Sequence, residues 1–162
     1  MQQKTNNNEK EFEDVFGTYF IMLSKPMIKI FGLEAALLLC DLYSEYRYWK
    51  TKNRLQIDGS FFSTIENVEH NTGLTGRQQG PAIKKLIEYG ILSKSVRGMP
   101  SKRYFTFNIK GLQKLRKDIR TEIKKDKERI TKRREQYGMD DMIGIYDYEG
   151  LKVDKARGEV YF

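Results

Sequence analysis

Residues 63–90 read STIENVEHNTGLTGRQQGPAIKKLIEYG and contain two helix-start signals separated by a short turn. Ser63-Thr64-Ile65-Glu66 fits a capping box, in which a hydroxyl and a carboxylate satisfy the free backbone N–H groups of a helix start. Thr75-Gly76-Arg77-Gln78 fits the same pattern. Gly73 and Gly90 are suited to the left-handed conformation that ends a helix. The pattern therefore predicts a helix-turn-helix unit, with the second helix projecting outward.

A β-hairpin is predicted immediately after this unit. Residues 91–96 and 102–108 read as two strands, and the turn between them contains Gly98 and Pro100, which both disfavour a continuing helix. A hairpin in this position is the wing of a winged helix-turn-helix, and the recognition unit therefore spans roughly residues 60–108.

The preceding residues contain one clearly amphipathic helix. Apolar side chains recur at gaps of three and four over residues 34–49, which predicts a core helix. Residues 19–23 read as a strand, residues 27–31 as one or two helical turns, and Phe61-Phe62 as a short buried strand. Cys40 lies in the apolar run of the long helix, and we expect it to be a buried small hydrophobic residue.

Composition excludes several classes of function. The chain has one cysteine and one histidine, His70, too few for the usual zinc clusters or for paired-histidine chemistry. There is no phosphate-cradling glycine-rich loop. We therefore predict a protein that is not an enzyme, with no catalytic residue, no metal and no cofactor. No apolar run approaches the ~20 residues of a membrane span, and the polar start lacks a secretion signal, so we expect no membrane partner and a cytoplasmic location.

The net charge of +8 favours a polyanionic partner, and much of it lies in one segment. Residues 110–137 carry twelve basic side chains against five acidic ones and read as a long helix with a thin apolar stripe. Three interpretations stay open: a stripe that docks on the winged domain or on a dimer partner, a basic arm on DNA, and a solvated helix.

The expected fold class is mostly α with a small β wing (α+β): a winged helix-turn-helix followed by a long basic C-terminal helix and a short tail. The expected organisation is a disordered lead-in at 1–12, the winged domain at 13–108, the basic helix at 109–137, and an acidic and apolar tail at 138–162. In that tail, residues 143–153 could form a hairpin around Glu149-Gly150.

Four motifs carry a family resemblance: Thr72-Gly73-Leu74-Thr75, residues 82–86, Tyr89-Gly90-Ile91-Leu92 and residues 98–105. Together they are similar to the winged-helix module of replication proteins from phages and plasmids of Gram-positive bacteria, including DnaD-type initiators. The resemblance covers about residues 18–110. It implies a winged-helix fold, DNA binding and a role in replication initiation or its control.

The chain departs from that family at Gly80-Pro81, where the recognition helix usually has basic or polar residues. Proline disfavours a helix interior and restricts the residue before it. Two alternatives follow. Either the helix is kinked there, or it begins at Pro81 and residues 75–79 form a separate turn.

The candidate DNA contacts follow from how such folds dock on a duplex. We expect Arg77 to contact guanine in the major groove, Thr75 to hold a phosphate, and Gln78 to be divided between capping and DNA. The basic wing would lie along the backbone or in the minor groove. For each residue the alternative is a solvated or capping side chain. The full set is Thr75, Arg77, Gln78, Lys84, Lys85, Lys94, Arg97, Lys102 and Arg103.

The sequence thus predicts a DNA-binding protein of a phage or plasmid. The expected partner is double-stranded DNA, with a homodimer through the C-terminal helix and a host replication protein as possible further partners. Two alternatives remain open. One is a winged helix used for protein contact, as an inhibitor or loader of host machinery. The other is a transcriptional repressor.

Overall fold

The computed structural model describes residues 21–137 and two short strands near the C-terminus. The chain divides into two compact units, with the boundary between Thr121 and Glu122. In chain order the first elements are α1 (Lys25–Phe31), α2 (Leu33–Thr51), β1 (Phe61–Phe62), α3 (Ile65–Thr72), α4 (Gly76–Tyr89), β2 (Leu92–Arg97), β3 (Lys102–Phe107) and α5 (Ile109–Tyr137). This is the predicted mostly helical α+β fold with a small sheet and a long C-terminal helix.

The N-terminal part of the described chain departs from the prediction in one place. Residues 21–24 have no regular secondary structure, so the expected strand at 19–23 is wrong for its described residues. α1 begins at Lys25 with Pro26 in its first turn, where proline's missing N–H costs nothing. Gly32, at φ 79°, separates α1 from α2.

The helix-turn-helix ends where its glycines predict but starts one residue later than expected. Thr64 is the N-cap of α3, and its hydroxyl accepts a hydrogen bond from the Asn67 backbone at 3.0 Å. The predicted cap, Ser63, is fully buried instead. Gly73 and Gly90 end α3 and α4 in the left-handed region, at φ 75° and 92°.

Helix α4 runs without a break from Gly76 to Tyr89, and Pro81 lies inside it. The alternative in which the helix begins at Pro81 is therefore wrong. Pro81 has no N–H to offer the Arg77 carbonyl one turn earlier, and its ring lies on the exposed side of the helix.

The sheet has the order β1-β3-β2 and is antiparallel throughout. Because side chains alternate along a strand, the register defines two faces. The inner face, which includes Phe61 and Phe105, packs into the core; both side chains are almost completely buried. The outer face includes the neighbouring pair Phe62 and Tyr104.

The core lies between α2, α4 and the inner face of the sheet. α2 contributes the predicted apolar stripe, and α4 contributes Ala82, Ile83 and Leu86, whereas Ile87 is 40% exposed. Cys40 is half-buried rather than buried, and burial raises the pKa of its thiol. The main buried apolar side chains are Phe31, Leu38, Leu39, Leu42, Phe61, Val68, Leu74, Ile83, Leu86, Ile91, Leu92, Phe105 and Leu115.

The first turns of α5 pack closely against the end of α4. A Cβ on Gly111 would lie 2.0 Å from the Gly90 carbonyl oxygen, so only glycine fits there. One turn later the Lys114 ammonium lies 4.1 Å from the centre of the Tyr89 ring. Asp118 accepts a hydrogen bond from the Tyr89 hydroxyl. Burial first, and then Asp118, raise the pKa of Tyr89.

The C-terminal unit contains the end of α5 and an antiparallel pair of strands, β4 (Val153–Asp154) and β5 (Glu159–Val160). Within this part of α5, ion pairs such as Lys125–Glu122 at 2.7 Å connect successive turns. The hairpin expected at 143–153 falls almost wholly outside the described residues, and the lead-in expected at 1–12 falls wholly outside them. Across residues 21–137, no helix is both long and apolar enough to cross a membrane.

Candidate nucleic-acid interface

Helix α4 has one buried side and one open side. Gln79, Ala82, Ile83 and Leu86 point into the fold, which fixes the phase of the helix. The residues on the opposite side are exposed: Arg77, Gly80, Pro81, Lys84 and Glu88. This open side begins at the N-terminus of the helix, where unpaired backbone N–H groups favour an anion.

Arg77 is the basic residue nearest that N-terminus. Its side chain is exposed and has no hydrogen-bond or ion-pair partner among residues 21–137. Thr75, just before it, is the N-cap, and its hydroxyl donates to Gln78 Oε1 at 2.9 Å. Arg77 therefore presents its guanidinium to solvent at the start of α4.

Gln78 is held by two neighbours. Its Oε1 accepts from the Thr75 backbone N–H at 3.0 Å, as the capping box predicted, and its Nε2 donates to Glu34 at 3.0 Å. The side chain thus connects the start of α4 to α2. The capping role considered for Gln78 is the one that the structure has.

The two lysines on α4 have different surroundings. Lys84 is exposed and lies 3.8 Å from the Glu88 carboxylate one turn along. Lys85 instead donates from its Nζ to the Phe31 carbonyl at 2.8 Å, at the end of α1. A cation there satisfies a carbonyl that the helix leaves unpaired. The ammonium of Lys85 is directed at the protein rather than outward.

The β2–β3 register places the four wing cations on both faces. Lys94 pairs with Phe105 and so belongs to the inner face, together with Arg103. Arg97 and Lys102 pair with each other on the outer face. The sequence predicts all four as one basic wing, but a ligand on the α4 side would meet only the inner-face pair.

Arg103 is half-buried and connects the wing to α4. Its guanidinium donates to Gln79 Oε1 at 3.0 Å and to the Ser63 carbonyl at 3.2 Å. Gln79, at 0% exposure, donates in turn to the carbonyls of Ile65 and Leu74. Burial lowers the pKa of Arg103. Arg103 is thus used inside the protein, because the inner-face strand position points its side chain at α4.

Two carboxylates of α2 lie in the same polar region. Burial raises the pKa of Glu45 to about 7, while Ser63 lowers it, Asp41 raises it and Arg103 lowers it, in that order of size. Within the described residues, neither Glu45 oxygen has a partner that meets hydrogen-bond geometry. Asp41 accepts from the Asn71 amide at 3.1 Å.

The outer-face cations lie over aromatic rings. Arg97 is 5.1 Å from the centre of the Tyr104 ring and pairs with Asp58 at 2.6 Å. Lys102 is 5.3 Å from the centre of the Phe62 ring. Hydrogen bonds from Ser60 first, and then from Arg97, lower the pKa of Asp58 to about 2.

The sequence pattern does not show what Gln79 binds. The contact with Arg103 joins residues far apart in the chain, and no local pattern encodes it. The division of the wing cations, in contrast, could have been found from strand alternation alone. Among residues 21–137 the structure has no group of three or more His, Cys, Asp or Glu side chains that could hold a metal ion.

Comparison with known proteins adds no family to this geometry. No protein-family model matches the chain, and no curated protein or solved structure matches it. The function must therefore be argued from the site itself.

Proposed function

We propose that the chain binds double-stranded DNA by placing the first turn of α4 in the major groove. One observation carries this proposal: Arg77 is exposed and unpaired among the described residues, while Gln79 and Arg103 hold the helix from beneath. A helix start that is fixed from one side and cationic on the other suits both groove entry and contact with a guanine edge.

Other residues support the same surface. Lys84 continues the open side of α4, and Lys94 lies on the inner face of the wing. Both are suited to phosphate contacts, which give affinity without sequence preference. Gly80 and Pro81 lie between Arg77 and Lys84. Because their side chains are absent or compact, the backbone of α4 can come close to a duplex there.

Arg77→Ala tests the proposal most directly. We expect at least about a tenfold loss of affinity for the preferred duplex and weaker discrimination between sequences, because a bidentate arginine contact is lost. Lys84→Ala should weaken binding to all duplexes alike and reduce the salt slope by about 1. Arg54→Ala, which removes an exposed cation from the loop after α2, is the matched control. Fluorescence anisotropy at several salt concentrations measures all three.

Two results would contradict duplex binding. One is a wild-type protein that does not bind at low salt, or whose binding does not change with salt. The other is Arg77→Ala behaving like Arg54→Ala.

Within this proposal, the function is replication initiation or its control in a phage or plasmid, as a cytoplasmic protein without enzymatic activity. A repressor would use the same chemistry at a different DNA site. Footprinting on the replicon that encodes the chain separates the two, because an initiator protects the origin and a repressor protects a promoter.

A protein-contact function is the second candidate, and Gly80-Pro81 favours it. These two residues take the middle of the open side of α4 and have no hydrogen-bonding side chain for a base edge. The partner would be a host replication protein. Capture from a nuclease-treated host lysate tests this, because a partner held only through DNA is lost.

A homodimer through α5 is a further proposal. Ile109 and Leu112 leave apolar surface exposed at the start of that helix. Sedimentation of the wild type against Leu112→Lys tests it: a dimer that becomes a monomer supports it, and a monomeric wild type contradicts it.

A further inference from the structure

Four aromatic rings form a row beside the outer face of the wing. Tyr48 and Trp49 come from the end of α2, Phe62 from β1, and Tyr104 from β3. Successive ring centres are 5.5, 4.9 and 6.3 Å apart. We call these four residues the aromatic row. Phe62 and Tyr104 lie on the sheet face opposite the apolar core, whereas Trp49 reaches Phe62 from the end of α2 and also packs against the core.

The rings of the aromatic row keep surface open to solvent. Tyr48 is 55% exposed, and the other three are half-buried. In contrast, Phe61 and Phe105 on the inner face are almost completely buried. The inner face therefore carries most of the packing of the sheet on the helices, and of the aromatic row Trp49 also packs against the core.

Cations lie over two of the four rings. Lys102 lies over Phe62 and Arg97 over Tyr104. At the end of α2 and in the loop after it, the exposed basic residues are Arg47, Lys50, Lys52 and Arg54. Asp58, an acidic neighbour, is paired with Arg97. Partly open rings with flanking cations form a surface that attracts a negatively charged, aromatic ligand.

We propose that the aromatic row and its cations bind single-stranded nucleic acid, with unpaired bases stacking on the exposed ring surfaces and phosphates meeting Lys102. Stacking needs base faces that a duplex keeps covered by neighbouring base pairs, so this site selects single strands. It lies on the opposite face of the wing from Lys94 and the open side of α4. The inference does not rest on the proposed duplex binding.

Trp49 allows a direct test, because it is the only tryptophan in the chain. Titrating the full-length protein with an oligothymidylate of about 12 bases, a length in the range of known single-strand sites, should quench its fluorescence. Heparin, a polyanion without bases, should not produce this quenching. A blunt duplex of the same length should quench much less.

Tyr48→Ala is the informative variant, because this ring is the most exposed of the four. It should weaken oligothymidylate binding about tenfold, the loss expected when one stacking ring is removed, and Tyr48→Phe should restore it. Arg77→Ala is the matched control and should leave oligothymidylate affinity within about twofold. An unchanged melting temperature of Tyr48→Ala excludes unfolding as the cause.

Three outcomes would overturn the proposal: no binding of oligothymidylate at low salt, equal quenching by heparin, or a Tyr48→Ala variant that binds like the wild type. Failure of the duplex proposal would instead appear as an Arg77→Ala variant with unchanged affinity for duplex DNA. The two proposals therefore fail in distinguishable ways.

Discussion

The two faces of the wing carry cations of the same charge in opposite situations. On the inner face, Arg103 is half-buried and hydrogen-bonded to Gln79 and Ser63. On the outer face, Arg97 and Lys102 lie over rings that stay open to solvent. Two adjacent residues of one strand therefore have different roles. Arg103 connects parts of the protein, and Lys102 faces a potential ligand.

Two helical glycines show the same contrast between a packed and an open side. Gly111 faces the Gly90 backbone, where a Cβ has no room. Gly80 lies on the open side of α4, and apart from its chain neighbours and the backbone of its own helix a Cβ there would meet nothing within 4 Å. The lesson is that side-chain direction, set by strand alternation and helix phase, decides what a residue does.

The largest effect should separate the glycines. Gly111→Ala places a methyl group against fixed backbone atoms and should destabilise the protein by about 3 kcal/mol or more. Gly80→Ala should change the free energy of unfolding by no more than about 1 kcal/mol, because the backbone entropy that alanine saves in a helix is opposed by the contact of its Cβ with the ring of Pro81. Urea denaturation measures both. Equal effects of the two substitutions would mean that α5 does not pack on Gly90 as described.

The next effect should separate the two neighbouring wing cations. Arg103→Met keeps much of the side-chain volume but removes the hydrogen bonds to Gln79 and Ser63, together with the positive charge near Glu66 and Glu45. We expect a loss of roughly 2–4 kcal/mol in the free energy of unfolding. Lys102→Met should change it by less than about 0.5 kcal/mol.

The result would contradict this assignment if Lys102→Met were as damaging as Arg103→Met. A folded Arg103→Met variant with normal stability would show that the contact between the wing and α4 is dispensable.

The smallest effect concerns pH. Glu45 has its pKa raised from 4.5 to about 7 in the folded protein, so the folded state binds more protons than the unfolded state between these values. The free energy of unfolding should therefore fall as pH rises from 4.5 to 7. Because the carboxyl is partly solvated, we expect a fall on the order of 1–2 kcal/mol.

Glu45→Gln should flatten that pH dependence, and Glu69→Gln, at an exposed position on α3, is the control. Denaturation at pH 5, 6 and 7 measures the slope. A slope that is unchanged in Glu45→Gln would locate the responsible group elsewhere, with Asp41, whose pKa burial also raises, as the first candidate.

Much of the fold could be predicted because the signals that start and end its helices and strands are local in sequence. Gly73 and Gly90 end helices, Thr75 and Gln78 form a capping box, and a glycine–proline turn joins the wing strands. Each signal depends on residues within one turn of the backbone. Thr64 rather than Ser63 caps α3 because Ser63 is buried and its backbone N–H still donates to the Arg103 carbonyl of β3.

The site was less predictable because partners far away in the sequence decide which basic side chains stay exposed. Lys85 and Lys84 are neighbours in sequence, but Lys85 reaches the Phe31 carbonyl, which belongs to another helix. Arg103 and Gln79 likewise meet only in the folded protein. Pairings of this kind are absent from local pattern, so a list of basic residues overstates the surface that a ligand can reach.

The fit between Gly90 and Gly111 has a mechanical consequence. Gly111 packs on Gly90, and Lys114 and Asp118 both contact Tyr89. Three positions on successive turns of α5 therefore contact the end of α4. Because of these contacts, the start of α5 cannot rotate about its axis without moving the C-terminal end of α4. Arg77 lies near the opposite, N-terminal end of α4. A displacement of the first turns of α5 would therefore be transmitted through α4 to Arg77.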